Sequence, residues 1–433
     1  METPIFGPFD VSRSTNLSDN QLINLYPALV ETKQGKAVGA LYLCPGLDLL
    51  LTVGGGPIRG MHVMKDTLFV VSGSALYGVS AALVATLLSG ATAIADGPVT
   101  MDDNSVQVGI FAGTKGYRWS VAGGFAEIVL PFVTALSPIT VAQQDGFMLI
   151  NQPGTALMFQ SDLLDISTWD ALNFGDASGD PDDLIAVAQL RREIWAIKKY
   201  NTEIWYNAGR AGFAFERLDG TYLEAGCIAP RSVVLSGEGL IWLAQNESGD
   251  GVVVQSVGHV LHRVSTHSVE ASFPAAMSDA IAFAYQQDGH QFYVLTFPTG
   301  DTTWVCDVTD STLSKTPMWH QRASFSGGAF HRHLANAYAF FADRSIVGDY
   351  QSGRLYAFNL STVTDNGVQR KWVRSWRALQ KPSEDPVRFN ALRIDMQTGI
   401  GVPPADNPLV VLRWSDDGGH LWSNERFASV GRI

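Results

Sequence analysis

The stretch Asp279–Val308, DAIAFAYQQDGHQFYVLTFPTGDTTWVCDV, with MWHQR (Met318–Arg322) after a short linker, decides the fold. Apolar residues alternate over Ala280–Tyr285, and a polar turn, Gln286–Gly289, breaks the pattern. The β-rich run Gln291–Phe297 follows, then a second turn at Pro298–Asp301 and a third run, Thr302–Val308. Turn residues fall where the period-2 alternation stops, which predicts an antiparallel meander and argues against a helix.

The same order of strand, polar turn, apolar strand, Gly or Pro turn and strand recurs in six further units. Their cores are Met61–Gly73, Val99–Gly113, Ile139–Gly154, Ala186–Lys199, Ser232–Gln245 and Gly328–Phe341. The first apolar residues after the turns are Leu68, Val106, Phe147, Ile194, Leu240, Phe292 and Tyr338, at steps of 38, 41, 47, 46, 52 and 46 residues. Antiparallel units at that period mark the blades of a β-propeller. The fixed signatures of kelch and WD repeats are absent from these units.

The reading is therefore an all-β chain: a propeller of seven blades over residues 51–362, with six blades as the alternative if one unit is recruited elsewhere. Residues 1–50 are read as an N-terminal arm and ring-closing strands, because Ala37–Val53 forms a strand–turn–strand pattern able to pair with the last unit. The arm holds Phe-Gly-Pro and Tyr-Pro segments with no evident strand partner and is expected to pack on something else. Residues 363–433 are read as a smaller β-rich assembly unit that shares a sheet with the arm, with strands at Val368–Lys381, Phe389–Met396 and Leu409–Trp414 and a Gly/Pro-rich linker at Thr398–Pro408. Two segments invite a helix reading, Ala81–Ala95 inside a blade linker and Val269–Met277 interrupted by Pro274.

Composition narrows the function. With 46% hydrophobic and 17% charged residues the chain can bury a large core, which excludes general disorder. A net charge of −12 argues against holding nucleic acid by phosphate neutralisation, though not against DNA passing by. Three cysteines on different units offer neither a disulfide framework nor a zinc spacing. The N-terminus lacks the apolar core of a signal peptide, and no apolar run approaches the ~18 residues that span a bilayer. A soluble protein made in a reducing cytosol is expected.

No catalytic motif is evident. Gly54-Gly55-Gly56-Pro57-Ile58-Arg59-Gly60 approaches a dinucleotide fingerprint, but Arg59 stands where the third glycine belongs and no helix pattern follows, so it reads as a blade turn. His331 and His333 alternate along a strand without further ligands and read as structural, as do His259, His262 and His267. Asp102-Asp103 and Asp182-Asp183 read as solvated turns. Ser415-Asp416-Asp417-Gly418-Gly419-His420-Leu421-Trp422 matches the Asp-box pattern of sialidase-like propellers, in which Asp417 would bond turn amides and Trp422 would pack between strands. It occurs once, outside the repeats, and marks a hairpin. Catalytic, cofactor and metal residues are expected to be none. The candidate site is instead the basic stretch Arg370, Lys371, Trp372, Arg374, Trp376 and Arg377, where cations surround two tryptophans as in a subunit or partner interface.

The chain resembles the packaged-DNA stabilisation proteins, or tail hub and nozzle proteins, of short-tailed bacteriophages. The resemblance covers most of the chain. It rests on Arg13-Ser14 with Asn16, Asn24-Leu25-Tyr26-Pro27, Cys44-Pro45-Gly46-Leu47, Arg59-Gly60-Met61 with Leu76-Tyr77, and Ser265-Thr266-His267-Ser268-Val269-Glu270. The most specific part is the stretch from Asp279-Ala280 through Gly289-His290-Gln291-Phe292-Tyr293 and Phe297-Pro298 to Thr303-Trp304-Val305 and Trp319-His320. It implies a non-enzymatic, hexameric virion ring below the portal and head-tail adaptor, with a tail needle, plug or tailspikes around or below it. Such a ring continues the DNA channel and retains the genome; double-stranded DNA passes without specific binding, and six copies would carry −72. Family members usually add a basic strand after the Asp-box-like hairpin, whereas this sequence stops at Gly431-Arg432-Ile433. The competing readings are a glycan-binding or glycan-cleaving sialidase-like tail propeller, marked by three arginines and paired carboxylates at the propeller mouth, and a monomeric scaffold propeller.

Overall fold

The computed structural model describes residues 5–14, 17–31, 37–91, 93–245, 249, 251–377, 379, 388–397 and 409–430. Seven antiparallel blades of four strands each form the ring. Blade 1 runs from Ile58–Met64 to Ala85–Leu87, blade 2 from Val99–Asp103 to Gly124–Ile128, and blade 3 from Val141–Gln144 to Asp165–Asp176. Blade 4 runs from Leu184–Leu190 to Phe215–Leu223, blade 5 from Val234–Ser236 to Val260–Arg263, and blade 6 from Ile281–Gln287 to Met318–Gln321. Blade 7 takes Ala335–Phe341, Arg344–Asp349 and Arg354–Asn359, and its fourth strand is Gly46–Thr52 from the other end of the chain. That strand closes the ring, as the pattern in Ala37–Val53 predicts.

Each neighbouring pair of blades shares a core, because the middle strands are apolar on both faces. Phe69, Val71, Val108 and Ile110 fill the space between blades 1 and 2, and Val53, Ile58, Leu68, Ile346 and Leu355 fill the space across the closure. In blade 6 the hairpin turns on Asp288 and Gly289, both at positive φ, which matches the right-handed twist of the flanking strands. At Gly56 (φ 68°) an added Cβ would come within 2.1 Å of the Gly353 backbone, so the glycine-rich segment is a tightly packed turn beside the closure.

Four expectations are corrected. Several fourth, outer strands, such as Ala85–Leu87 and Val260–Arg263, were not part of the predicted unit; these two are largely exposed. The unit expected at Gly328–Phe341 begins one strand early. Ala323–Ser326 and Ala329–Arg332 form a separate hairpin around Gly327 and Gly328, and blade 7 starts only at Ala335. Of the helical readings, Ala81–Ala95 contains a strand, and the second reduces to His267–Glu270, capped by Thr266; an unforeseen helix, Val308–Ser314, is capped by Asp307. Phe389–Met396 belongs to no strand, and among the described residues the basic stretch contributes Val368–Gln369 and Val373–Arg374, whereas Leu409–Leu412 pairs with Arg426–Ser429. Thr398–Pro408 and Gly431-Arg432-Ile433 lie outside the described residues.

The arm does have strand partners. Leu25–Leu29 pairs with Gly39–Leu43, and Leu22–Ile23 lies between Met318–Gln321 and Val373–Arg374, extending blade 6 to six strands. Phe9 meets Trp304 edge-on at 4.7 Å, while its backbone N–H donates to Trp319 O at 2.8 Å. Arm and tail therefore share one sheet at this point.

Leu47 on the closing strand is 1% exposed and Leu49 is 49% exposed. Leu47→Ala is expected to cost ~2–5 kcal/mol and Leu49→Ala under ~1 kcal/mol in urea unfolding. Equal losses at the two positions would contradict the closure described.

Candidate functional site

The basic stretch 370–377 splits into two populations. Arg370 is buried: its Nη1 and Nη2 donate to Pro45 O (2.8 Å) and Cys44 O (2.6 Å), and its Nε lies 3.7 Å from Asp365 Oδ1. Arg374 turns to the arm, with Nε donating to Ile5 O at 2.6 Å and Nη1 to Pro8 O and Gln21 O at 3.5 Å. Burial lowers the Arg374 guanidinium to about 10. These two arginines, read from the sequence as part of a subunit or partner interface, satisfy carbonyls of the chain's own N-terminal part. Lys371, Trp372 and Arg377 stay exposed and Trp376 half-buried, with Lys371 Nζ 5.0 Å from the Phe325 ring centroid.

Asn24 fixes the junction. It is 1% exposed and sits at φ 60°, a conformation Asn tolerates better than most residues. Its Nδ2 donates to Ala323 O (2.8 Å) and Lys371 O (2.9 Å), and its Oδ1 accepts from Ala323 N (2.9 Å). One side chain thus joins the arm, the hairpin that follows blade 6 and the tail. The Asn24-Leu25-Tyr26-Pro27 segment carried a family resemblance, but nothing local in the sequence shows these long-range bonds.

The same seam holds groups that the sequence reading did not connect. Arg322 is 1% exposed, with its guanidinium 5.0–5.6 Å from the centroids of Tyr285, Phe292 and Phe358. His320 and His333 are buried close by, and burial holds both well below the ordinary imidazole value. Burial raises Asp365 to about 6 against the opposing pull of Arg370 and Arg322.

The histidines separate as structural groups. His331 Nδ1 pairs with Asp301 at 2.7 Å, whereas His333 Nδ1 accepts from Ala335 N at 3.3 Å. His259 faces Glu193 at 3.0 Å, and His267 stands by Glu270 at 3.6 Å. Asp102 corrects the solvated-turn reading: burial raises its carboxyl, and its oxygens accept from Asp103 N and from Gln143 N of the next blade. Asp182 does cap a turn, at Tyr200 N. Two groups have the composition of a metal site, His62 with Asp102 and Asp103, and His290 with Asp307 and Asp310. In the second, His290 Nδ1 bonds Asp307 Oδ2 at 2.6 Å, Asp307 caps a helix and Asp310 accepts from Leu29 N, so the oxygens already have partners. The Asp-box hairpin forms as expected, with Asp417 Oδ1 accepting from Leu421 N at 2.8 Å, but Trp422 is 44% exposed beneath Arg413 instead of packed between strands.

On the propeller axis lies a cavity of about 280 Å³ lined by Arg59, Arg231, Asp279, Asn336 and several prolines. Arg59 is committed to the carbonyls of Gly73, Ala95 and Gly97. Burial, with Arg59 nearby, lowers Arg231 to about 10. The lining thus offers two arginines and one carboxylate, short of the paired carboxylates that glycoside hydrolysis uses.

Seven blades, with the arm and residues 364–374 paired onto blades 6 and 7, define an all-β propeller. A family model described as Bacteriophage P22 Gp10, β-propeller, matches residues 1–363, and the chain belongs to that family, which is one of phage structural proteins of packaged-DNA stabilisation. No curated protein matches the chain. Among solved structures it is similar to the computationally designed protein Ika8 (13% identity, TM-score 0.43, covering 72% of this chain and 99% of that one). It is also similar to the extracellular domain of a hybrid two-component system from B. thetaiotaomicron (7%, TM-score 0.46, 72% and 40%) and to PorZ of Porphyromonas gingivalis (12%, TM-score 0.42, 88% and 46%). The chain thus spans under half of the latter two. No helix among the described residues is long and apolar enough to cross a membrane.

Two outcomes follow from the seam. Arg374→Glu places an acid against Ile5, Pro8 and Gln21 carbonyls and is expected to cost ~3–5 kcal/mol of stability; an unchanged Tm would show that the arm is not held there. The Asp307 hydrogen bond, with Asp310 and Asp288 nearby, raises the His290 imidazole above its ordinary 6.5. A raised folded value means its contribution is complete below about pH 6.5 and is lost as pH rises through the folded value. Wild type should therefore lead His290→Gln in Tm at about pH 6 and lose that lead by about pH 9; a constant difference would refute it.

Proposed function

We propose that the protein forms a homo-oligomeric, six-fold nozzle or hub ring in the phage tail, below the portal and head-tail adaptor. There it continues the DNA channel and retains the packaged genome without enzymatic activity. Its other neighbours would be the tail needle or plug and the tailspikes. The observation that carries this reading is the family match over residues 1–363. The physics is compatible with it: each blade is packed against two neighbours, which makes a stiff wall, and a net charge of −12 per chain does not attract DNA phosphates. The protein is made in the host cytoplasm and resides in the virion.

The ring contact is assigned to parts outside the blades. Lys371, Trp372, Trp376 and Arg377 remain available at the surface once Arg370 and Arg374 are committed inward. The hairpin Leu409–Leu412 with Arg426–Ser429 also presents exposed apolar groups, among them Val411, Trp414 and Phe427. An isolated two-stranded hairpin is marginal in water, and a neighbouring subunit covering it would supply the missing burial.

Native mass of the purified protein and images of the particle test the assembly; six copies at the tail are expected, and a monomer on the particle would refute the ring. Lys371→Glu with Arg377→Glu is expected to reduce assembly or particle attachment at least about tenfold while moving stability by no more than ~0.5 kcal/mol. Full assembly by that variant would remove these residues from the contact. Turnover of host-surface polysaccharide, lost on changing Asp279, would instead favour the glycan-cleaving alternative.

A further inference from the structure

Most polar contacts of the seam are satisfied by its own chain, but one set is left over. Where blades 6 and 7 meet the arm and tail, several buried atoms have no hydrogen-bond partner among the described residues. They are Nε and Nη1 of Arg322, Nε of Arg370, both ring nitrogens of His320, Nε2 of His333 and both carboxylate oxygens of Asp365. The seam therefore contains more unpaired N–H donors than a single carboxylate, 3.7 Å from Arg370 Nε, can answer.

The charges do not balance either. Arg322 and Arg370 are close enough to repel one another, and Asp365 is the carboxylate that faces both. The other titratable groups facing them bring no counter-charge at neutral pH. Burial raises the Cys44 thiol and the Tyr285 and Tyr26 hydroxyls, and it keeps His320 and His333 neutral. The ring faces of Tyr285, Phe292 and Phe358 favour the Arg322 cation, and its Nη2 donates to the Tyr285 hydroxyl, but Nε and Nη1 stay without partners among the described residues. A fully buried arginine that keeps its charge needs an anion or a dense set of acceptors.

We propose that this seam binds one small monovalent anion, of the size and charge of chloride, between the guanidinium edges of Arg322 and Arg370, with His320 as a further donor. Charge-assisted donors around a halide satisfy both deficits at once, whereas a water satisfies donors and leaves the surplus charge. The consequence is mechanical. The donors come from blade 6 (His320) and from the segments after it and in the tail (Arg322 and Arg370), and Arg370 also grips Cys44 O and Pro45 O. The anion then acts as a cross-link that holds both chain ends to the ring, and its concentration is linked to their docking.

The test uses the whole wild-type protein. Crystals grown in bromide are expected to show an anomalous peak between Arg322 and Arg370; an ordered site without that signal, filled by water alone, overturns the proposal. In solution, at constant ionic strength, Tm is expected to rise as chloride replaces methanesulfonate. Arg370→Met removes the surplus charge and should abolish that dependence even if it lowers Tm outright. A chloride response of the same size in Arg370→Met would assign the effect to another site and overturn the inference. Should that variant not fold, the bromide measurement on wild type decides alone.

Discussion

Six of the seven blades are built from consecutive strands, and the seventh borrows Gly46–Thr52 from the other end of the chain. That pairing is the constraint on which the rest depends. Without it, Arg354–Asn359 would present an open edge, and the core of Val53, Ile58, Leu68 and Ile346 would lose one of its walls. Because the closing strand lies at residue 46, everything before it must leave the ring on the outside of blade 7. The arm does so by crossing to blade 6, where Leu22–Ile23 adds to the exposed edge of Met318–Gln321.

The tail meets the mirror problem. After Asn359 the chain leaves the same blade, and Thr364–Asp365 pairs beside the closing strand before Val373–Arg374 joins the arm. Two chain ends are thus layered on neighbouring blades, with their backbone groups satisfied by one another. The layering also buries cations. Arg370 and Arg374 end up against carbonyls of residues 5–45 because the tail lies over the arm, and their charges stabilise those carbonyls where water is excluded. The cost of desolvation appears as lowered guanidinium values at both.

Legibility followed burial. Blade 6 was readable almost strand by strand, since Ile281–Gln287, His290–Phe297 and Thr302–Asp307 alternate or run apolar between turn residues. The closing strand was readable for the same reason. Outer strands such as Val260–Arg263 were not, because solvent on both sides leaves no periodic signature. The hairpin around Gly327-Gly328 imitated the blade pattern and displaced the expected start of blade 7. The candidate site was half legible. A cluster of Arg and Trp marks a contact surface, but composition cannot tell whether the other side of that contact is a neighbour or the chain's own arm. Arg370 and Arg374 turned inward by virtue of sheet order between residues about 350 positions apart, which no local window contains.

Inward cations also change what the surface presents. Arg59, Arg322, Arg370 and Arg374 bond carbonyls or face rings, and carboxylate pairing is limited to the 3.7 Å contact of Arg370 with Asp365. The charged side chains buried among the described residues are three cations, Lys198, Arg322 and Arg370, and five carboxylates, Glu203, Asp307, Asp310, Asp349 and Asp365, so the exterior keeps a negative sign without exceeding the total of −12. For a channel wall the sign of the nearest charges decides whether a polyanion adheres. Arg322 and Arg370 fasten arm and tail without presenting their charge to solvent, which is in keeping with the proposed passage of DNA without adhesion.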